Sequence, residues 1–196
     1  MGKLRFAADF EDGGLERWRA TDAAAWRIED DPVRGKVLAL FGESKYEPDV
    51  RSPFNINLLK DLEIGSFVME LKIRSTIEDY YHRDICLFFG YQDPSHFYYV
   101  HLGKTADPHA NSVFIVDGAP RLSIASNRSD GTDWDDEWHH VRLVRDVEEG
   151  TVEVYFDDMS TPVMSATNDR FGSGKIGVGS FDDTGLFDDI KIWDKK

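Results

Sequence analysis

Apolar and polar residues alternate along much of this chain. From Val68 to Arg74, the residues Met69, Leu71 and Ile73 fall on one face, and Val68, Glu70, Lys72 and Arg74 on the other. A repeat of two is the period of a β-strand with one buried side. Val141–Arg145 and Val152–Phe156 behave similarly, and Asp146–Gly150 between them predicts a hairpin turn ending in glycine. Gly90–Ser95 predicts a second connection of this kind. Strands are expected at Leu4–Phe10, Ala25–Glu29, Val37–Phe41, Asp49–Ser52, Gly65–Arg74, Arg83–Phe89 and Phe97–Leu102. Six more are expected at Ser112–Val116, Arg121–Ala125, Trp138–Arg145, Thr151–Phe156, Lys175–Ser180 and Gly185–Trp193. Glu11–Ala25 has a helix-like composition, but Gly13 and Gly14 interrupt its start and no apolar stripe follows. Short strands with no long linker predict one all-β domain over residues 1–196, a sandwich of two antiparallel sheets.

The same argument sets a register in the middle of the chain. In Arg83–Phe89, the residues Ile85, Leu87 and Phe89 share a face, with Asp84, Cys86 and Phe88 opposite. In Phe97–Leu102, the residues Tyr98, Val100 and Leu102 share a face, with Phe97, Tyr99 and His101 opposite. Pairing the apolar sets puts Asp84, Tyr99 and His101 together, because a one-residue slip reverses every side chain. His82 is in phase at the strand entrance. Four of the six histidines, His82, His96, His101 and His109, fall in this stretch, interleaved with aromatic residues.

Composition narrows the chemistry. The 196 residues carry 23 Lys+Arg against 37 Asp+Glu, a net charge of −14. That field argues against a general binder of nucleic acid or anionic membrane. No apolar run approaches the ~18 residues of a membrane span, so no membrane partner is expected. Cys86 is the one cysteine, which excludes an intrachain disulfide and a zinc–thiolate cluster. It lies in an apolar run and reads as a small buried hydrophobe. Met1–Phe10 has no signal-peptide apolar stretch. Two compartments stay open: cytoplasmic, or secreted or periplasmic if a leader was removed. Oligomeric state is not readable. The acidic run Asp130–Glu137 reads as a solvated loop or a local cation site, anchored by Trp134 and Trp138.

Three segments carry a resemblance. They are Asp9-Phe10-Glu11-Asp12-Gly13 with Trp18 after it; Glu137-Trp138-His139-His140-Val141-Arg142-Leu143-Val144-Arg145, followed by Glu153-Val154-Tyr155-Phe156-Asp157-Asp158; and Gly174-Lys175-Ile176-Gly177-Val178-Gly179, then Phe187-Asp188-Asp189-Ile190-Lys191-Ile192-Trp193. In this order the chain resembles the concanavalin A-like lectin/glucanase superfamily, including laminin-G-like and 3-keto-disaccharide hydrolase-type domains. The resemblance implies a jelly-roll β-sandwich with one curved sheet and paired first and last strands. From laminarinase-type hydrolases it implies a structural calcium, with Asp9 and Asp188 as carboxylate ligands, a main-chain oxygen near Gly42 and Glu11 as an extra ligand. Calcium takes six to eight hard oxygens, and such an ion would offset carboxylate repulsion.

The resemblance also implies a carbohydrate ligand on the concave sheet. Tyr99 would stack on a pyranose ring, and His82, His101, Asp84 and Arg83 or Arg121 would bond hydroxyls or a carboxylate. His109, Asn111 and Trp134 would line the rim. The alternative is a glycan-degrading enzyme on the same face. The laminarinase-type Glu-x-Asp-x-x-Glu pattern is absent. A polysaccharide lyase needs a residue that neutralises a uronate, with a His or Tyr base and a Tyr acid. His82, Tyr99, His101, Asn111 and Arg121 include those types. A structural or protein-interaction role is the third reading.

Overall fold

The computed structural model describes residues 1–196. In chain order its strands are β1 (Leu4–Ala8), β2 (Trp18–Ala20), β3 (Trp26–Asp31), β4 (Gly35–Leu40), β5 (Asn55–Ile64), β6 (Phe67–Ser75), β7 (Asp84–Asp93) and β8 (His96–Gly103). Then come β9 (Ser112–Asp117), β10 (Leu122–Ser123), β11 (Ala125–Arg128), β12 (His139–Asp146), β13 (Thr151–Phe156), β14 (Met164–Thr167), β15 (Gly174–Ser180) and β16 (Gly185–Asp194). Nine strands make one sheet, in the order β11-β14-β13-β12-β6-β16-β4-β3, with β1 also on β16. Seven make the other, in the order β10-β9-β8-β7-β15-β5-β2. All pairings are antiparallel, and the molecule is the expected two-sheet all-β sandwich.

The core lies between the sheets and follows the alternation. Met69, Leu71 and Ile73 of β6 and Val141 and Leu143 of β12 meet Ile85, Leu87 and Phe89 of β7 and Val100 and Leu102 of β8. Each such side chain contributes ~1.5–3 kcal/mol by leaving water. Arg145 pairs with Val152 across the β12–β13 hairpin. Gly150 closes the turn at φ 67°, a left-handed conformation that suits glycine.

A second apolar cluster lies on the outer face of the seven-stranded sheet. Ile56, Leu58, Cys86, Phe88, Phe97, Tyr99, Phe114, Val116 and Phe181 form it, and Val50 and Phe54 pack over it. This sheet is therefore apolar on both sides, and its outer face is partly covered.

Some expected elements differ. Asp49–Ser52 is irregular, and the strand begins at Asn55 instead. β5 hides its period because a bulge breaks the register. Lys175 faces Glu63 while Gly177 faces Leu58, so five steps along β5 oppose two along β15. Ile56 and Leu58 therefore point outward, whereas Leu59, Leu62 and Ile64 join the core. Arg121–Ala125 divides at Ile124: β10 pairs with β9 in one sheet, and β11 with β14 in the other. The first strand ends at Ala8, two residues before Phe10, whose φ is 59°. The three-residue β2 and the four-residue β14 are too short to show a period.

Candidate functional site

β7 and β8 pair with Cys86 opposite His101 and Phe88 opposite Tyr99. The outward register is the expected one. Asp84 and His101 come together at one end of the two strands. Asp84 is buried and accepts hydrogen bonds from the Phe181 N–H (2.9 Å), the Ser180 hydroxyl (3.1 Å) and the Cys86 thiol (3.3 Å). Burial raises its pKa against the pull of these donors. Asp183 is raised too, by burial first and then by the Asp84 charge. It accepts from the Asp84 N–H at 2.8 Å and the Tyr80 hydroxyl at 2.7 Å.

His101 has its Nδ1 occupied. The Asn111 N–H donates to it at 3.2 Å, which puts the ring proton on Nε2, 3.6 Å from Asp84 Oδ2. Burial, with Arg121 next, pushes the His101 pKa down to about 3, so the ring is neutral near pH 7. Asp84, Cys86 and His101 lie close enough to hold a metal ion, as do Asp84, Asp182 and Asp183. The first set does not suit one: His101 has no lone pair free toward Asp84, and burial pushes the Cys86 thiol well up. In the second, the Asp84 and Asp183 oxygens already accept protein donors, and only Asp182 is unengaged.

A pocket of about 440 Å³ opens beside these groups. Arg51, Tyr80, His82, Asp107, His109, Arg121, Phe181 and Asp182 line it together with Asp84 and His101. The Arg121 guanidinium lies over the Phe181 ring, its carbon 4.1 Å from the centroid. Its Nη2 donates to the His109 carbonyl at 3.2 Å, while Nε and Nη1 are buried and unpartnered. Asp182 is exposed at the same pocket, and no protein donor engages its carboxylate. His82 Nδ1 stands 3.7 Å from Asp107.

Five of the nine expected ligand residues line this pocket: His82, Asp84, His101, His109 and Arg121. The other four do not. Arg83 is out of phase with Asp84, so it points inward, where Nε bonds the Ser75 hydroxyl at 2.9 Å and Nη2 bonds Asp136 at 2.8 Å. Tyr99 has the expected facing but 0% exposure. Its ring is stacked 5.1 Å from Phe114 and 6.0 Å from Phe88, so it offers no surface to a sugar. Asn111 is buried at φ 51° and ties loops together, bonding Ser129 O at 2.9 Å and the Thr132 hydroxyl at 3.0 Å. Trp134 is a buried anchor, its Nε1 donating to Leu102 O at 2.8 Å. Arg51, Tyr80, Asp107, Ala110, Phe181 and Asp182 complete the pocket without having been expected. They come from loops with no period to place them, although Asp182-Asp183, one residue past a strand, was a visible signal.

The calcium ligands do not gather as the resemblance implies. Asp188 Oδ2 and Asp189 Oδ2 each accept from Arg34 at 2.5 Å, through Nε and Nη2. The guanidinium also lies 5.4 Å from the Trp138 ring. Glu11 accepts from the Lys36 N–H at 3.0 Å and sits against Gly35, where a Cβ would lie 2.2 Å from its oxygen. Asp9 is exposed and accepts only weakly, at 3.4 Å, from the Glu11 N–H. Gly42 lies past the end of β4. Asp9, Glu11 and Asp188 form no cluster of three. One buried oxygen, Asp188 Oδ1, has no partner. Arg34 supplies a positive charge beside this oxygen.

No family's sequence profile matches the chain, and no curated protein matches it. Solved structures do. The carbohydrate binding module CBM66 from Bacillus subtilis superposes with a TM-score of 0.63 at 17% identity, over 90% of this chain and 95% of its own. Domain 4 of AbnA, a GH43 extracellular arabinanase from Geobacillus stearothermophilus, solved with arabinotriose, gives 0.63 at 15% identity, over 98% and 92%. A putative glycosyl hydrolase from Parabacteroides distasonis gives 0.64 at 14% identity, over 99% and 100%. With the sheet order above, these likenesses show that the chain has the concanavalin A-like jelly-roll fold.

Proposed function

We propose that the pocket beside Asp84 and His101 binds a sugar residue of an oligo- or polysaccharide. One observation carries this. Arg121, two of whose guanidinium nitrogens have no protein acceptor, and Asp182, whose carboxylate no protein donor engages, line the same pocket. A sugar hydroxyl both donates and accepts, so neighbouring hydroxyls satisfy a guanidinium and a carboxylate at once. Left dry, buried unpaired donors cost about 1–3 kcal/mol each, which a ligand returns. Arg51, His82 and His109 add polar groups around the opening. The volume falls in the range of small-molecule sites, ~300–1,000 Å³. Two of the similar structures agree in kind: one is described as a carbohydrate binding module, and one was solved with arabinotriose.

Binding is favoured over glycan cleavage by the state of the acid–base groups. Asp84 and Asp183, the raised carboxyls at this end of the sheet, already accept protein donors, and His101 has given its lone pair to Asn111. A general acid or base must reach the substrate proton, and none of the three is free to do so. A glycan array, followed by calorimetric titration of the best neutral oligosaccharide, tests the proposal. Arg121→Ala should weaken that ligand by about tenfold or more, the worth of hydrogen bonds from a charged donor. Silence across the array, an unchanged Kd in the variant, or release of reducing ends from the ligand would each overturn it.

A further inference from the structure

The outer face of the seven-stranded sheet carries a second hollow, about 600 Å³, at the other end of β7. β15 runs between β5 and β7, and Ile176 and Val178 go into the core. Gly177 and Gly179 point outward, where an added Cβ would meet Leu58 at 2.9 Å or the Phe88 ring at 3.0 Å. The middle of β15 therefore adds no side chain to this face. Leu58 of β5 and two half-buried tyrosines, Tyr46 and Tyr91, supply the lining. The Tyr91 ring is held by stacking on Phe97 at 5.2 Å.

The rim is cationic. Arg19, Lys60 and Lys175 stand around the hollow against one carboxylate, Asp93. Asp93 is already engaged by the Ser95 N–H and by His96, both at 2.8 Å. Arg19 and Lys60 have no carboxylate partner, and Lys60 Nζ reaches only a main-chain oxygen, that of Glu16, at 2.6 Å. Lys175 is 3.9 Å from Glu63 and donates to the Lys60 carbonyl at 2.9 Å. In a chain of net charge −14, cations free of carboxylate partners around an aromatic-lined hollow are a local reversal of sign. Such a reversal favours an anion, and the tyrosine faces suit a flat apolar ring surface.

We infer that this hollow is a second ligand site, and that it takes an acidic saccharide, with a sugar ring against the tyrosines and its carboxylate on Arg19, Lys60 or Lys175. The choice of a saccharide rests on the carbohydrate reading of the first pocket; the choice of an anion does not. The test titrates oligogalacturonate, the matching neutral oligogalactose and inorganic phosphate into the full chain, followed by amide chemical shifts. Oligogalacturonate should perturb Tyr91 and Lys175, bind more weakly as salt rises, and weaken by about tenfold in Arg19→Gln and Lys175→Gln. Arg121→Ala should leave it unchanged. Phosphate binding as tightly as the uronate would make the site a bare anion site and overturn the inference. So would no oligogalacturonate binding, or a loss in Arg121→Ala instead of Arg19→Gln. If neutral sugars bind beside Arg121 while the uronate does not bind here, only this inference fails. If the uronate binds here and no sugar binds beside Arg121, only the first reading fails.

Discussion

The two ends of β7 lie on either side of a register shift near Gly90 and treat charge in opposite ways. At the Asp84 end, most polar groups serve one another. Asp84 holds the Ser180 hydroxyl and the Phe181 N–H, Asp183 holds Asp84 and Tyr80, and Asn111 holds His101. What is left for a ligand is small: Arg121, Asp182 and the residues at the opening. At the Tyr91 end the floor is apolar and the charges stand on the rim, with Arg19 and Lys60 lacking carboxylate partners. The first end has the richer inventory of titratable side chains, yet both ends offer a ligand only the groups that folding leaves unspent. The chemistry of a site is read from those leftovers.

That contrast can be broken at its most buried point first. Asp84→Ala removes the acceptor of three donors inside the protein. It should destabilise the fold by about 3–5 kcal/mol in urea denaturation, with sugar binding beside Arg121 lost and the Tyr91 end unaffected where the variant folds. Unchanged stability would mean that the network does not hold this end together. Arg34→Ala, on the other sheet, is next. It strips the counter-charge from buried Asp188 and should cost about 2–4 kcal/mol. The unaltered protein should melt at the same temperature in chelator and in added calcium. A clear calcium-dependent shift would restore the ion that Arg34 has been given credit for replacing.

The pH response gives a subtler test. His101 has its folded pKa pushed down to about 3, while an unfolded histidine titrates near its ordinary ~6.5. Between these values the unfolded chain binds the extra proton, so this group's contribution is full above ~6.5 and drains away as pH falls. Asp84 and Asp183 are raised by burial. The folded chain then holds protons that the unfolded chain releases, and their contribution is full at low pH and is lost as pH rises. The two trends oppose one another over the mildly acidic range. His101→Gln keeps only the carboxylate trend. Its urea midpoint, relative to the unaltered protein's, should therefore rise on going from pH 7 to pH 4.5, and a constant difference would show that His101 titrates normally. The smallest expected effect on stability is at the Tyr91 end, where Arg19→Gln, an exposed change, should stay within about 0.5 kcal/mol.

The fold was legible wherever one face of a strand is buried and the other wet. β6, β12 and β13 announce themselves that way, and the β7–β8 register followed from matching apolar sets. β5 was invisible because its bulge switches the buried face between Leu59 and Leu62, mixing two phases in one segment. In the site, alternation put Asp84 and His101 on one face, whereas Arg83, kept as a candidate ligand, lies just before β7 and turns inward. Tyr99 shows where such reasoning stops. Periodicity gives the direction of a side chain, and only the packing of Phe88, Phe114 and Phe181 shows whether anything covers it. The pocket's remaining walls come from loops far apart in the chain, and no local pattern joins Arg51 to Asp182.

One feature of the fold bears on how this unit can be handled. Leu4 lies opposite Trp193, and the Gly2 N–H donates to the Asp194 carbonyl at 2.7 Å. The two ends leave the body side by side, so a few residues suffice to splice them. Opening the chain instead at the Asp146–Gly150 hairpin then yields a circular permutant with every sheet pairing preserved. The same adjacency suits the unit to insertion within a surface loop of a host protein, where entry and exit must nearly coincide.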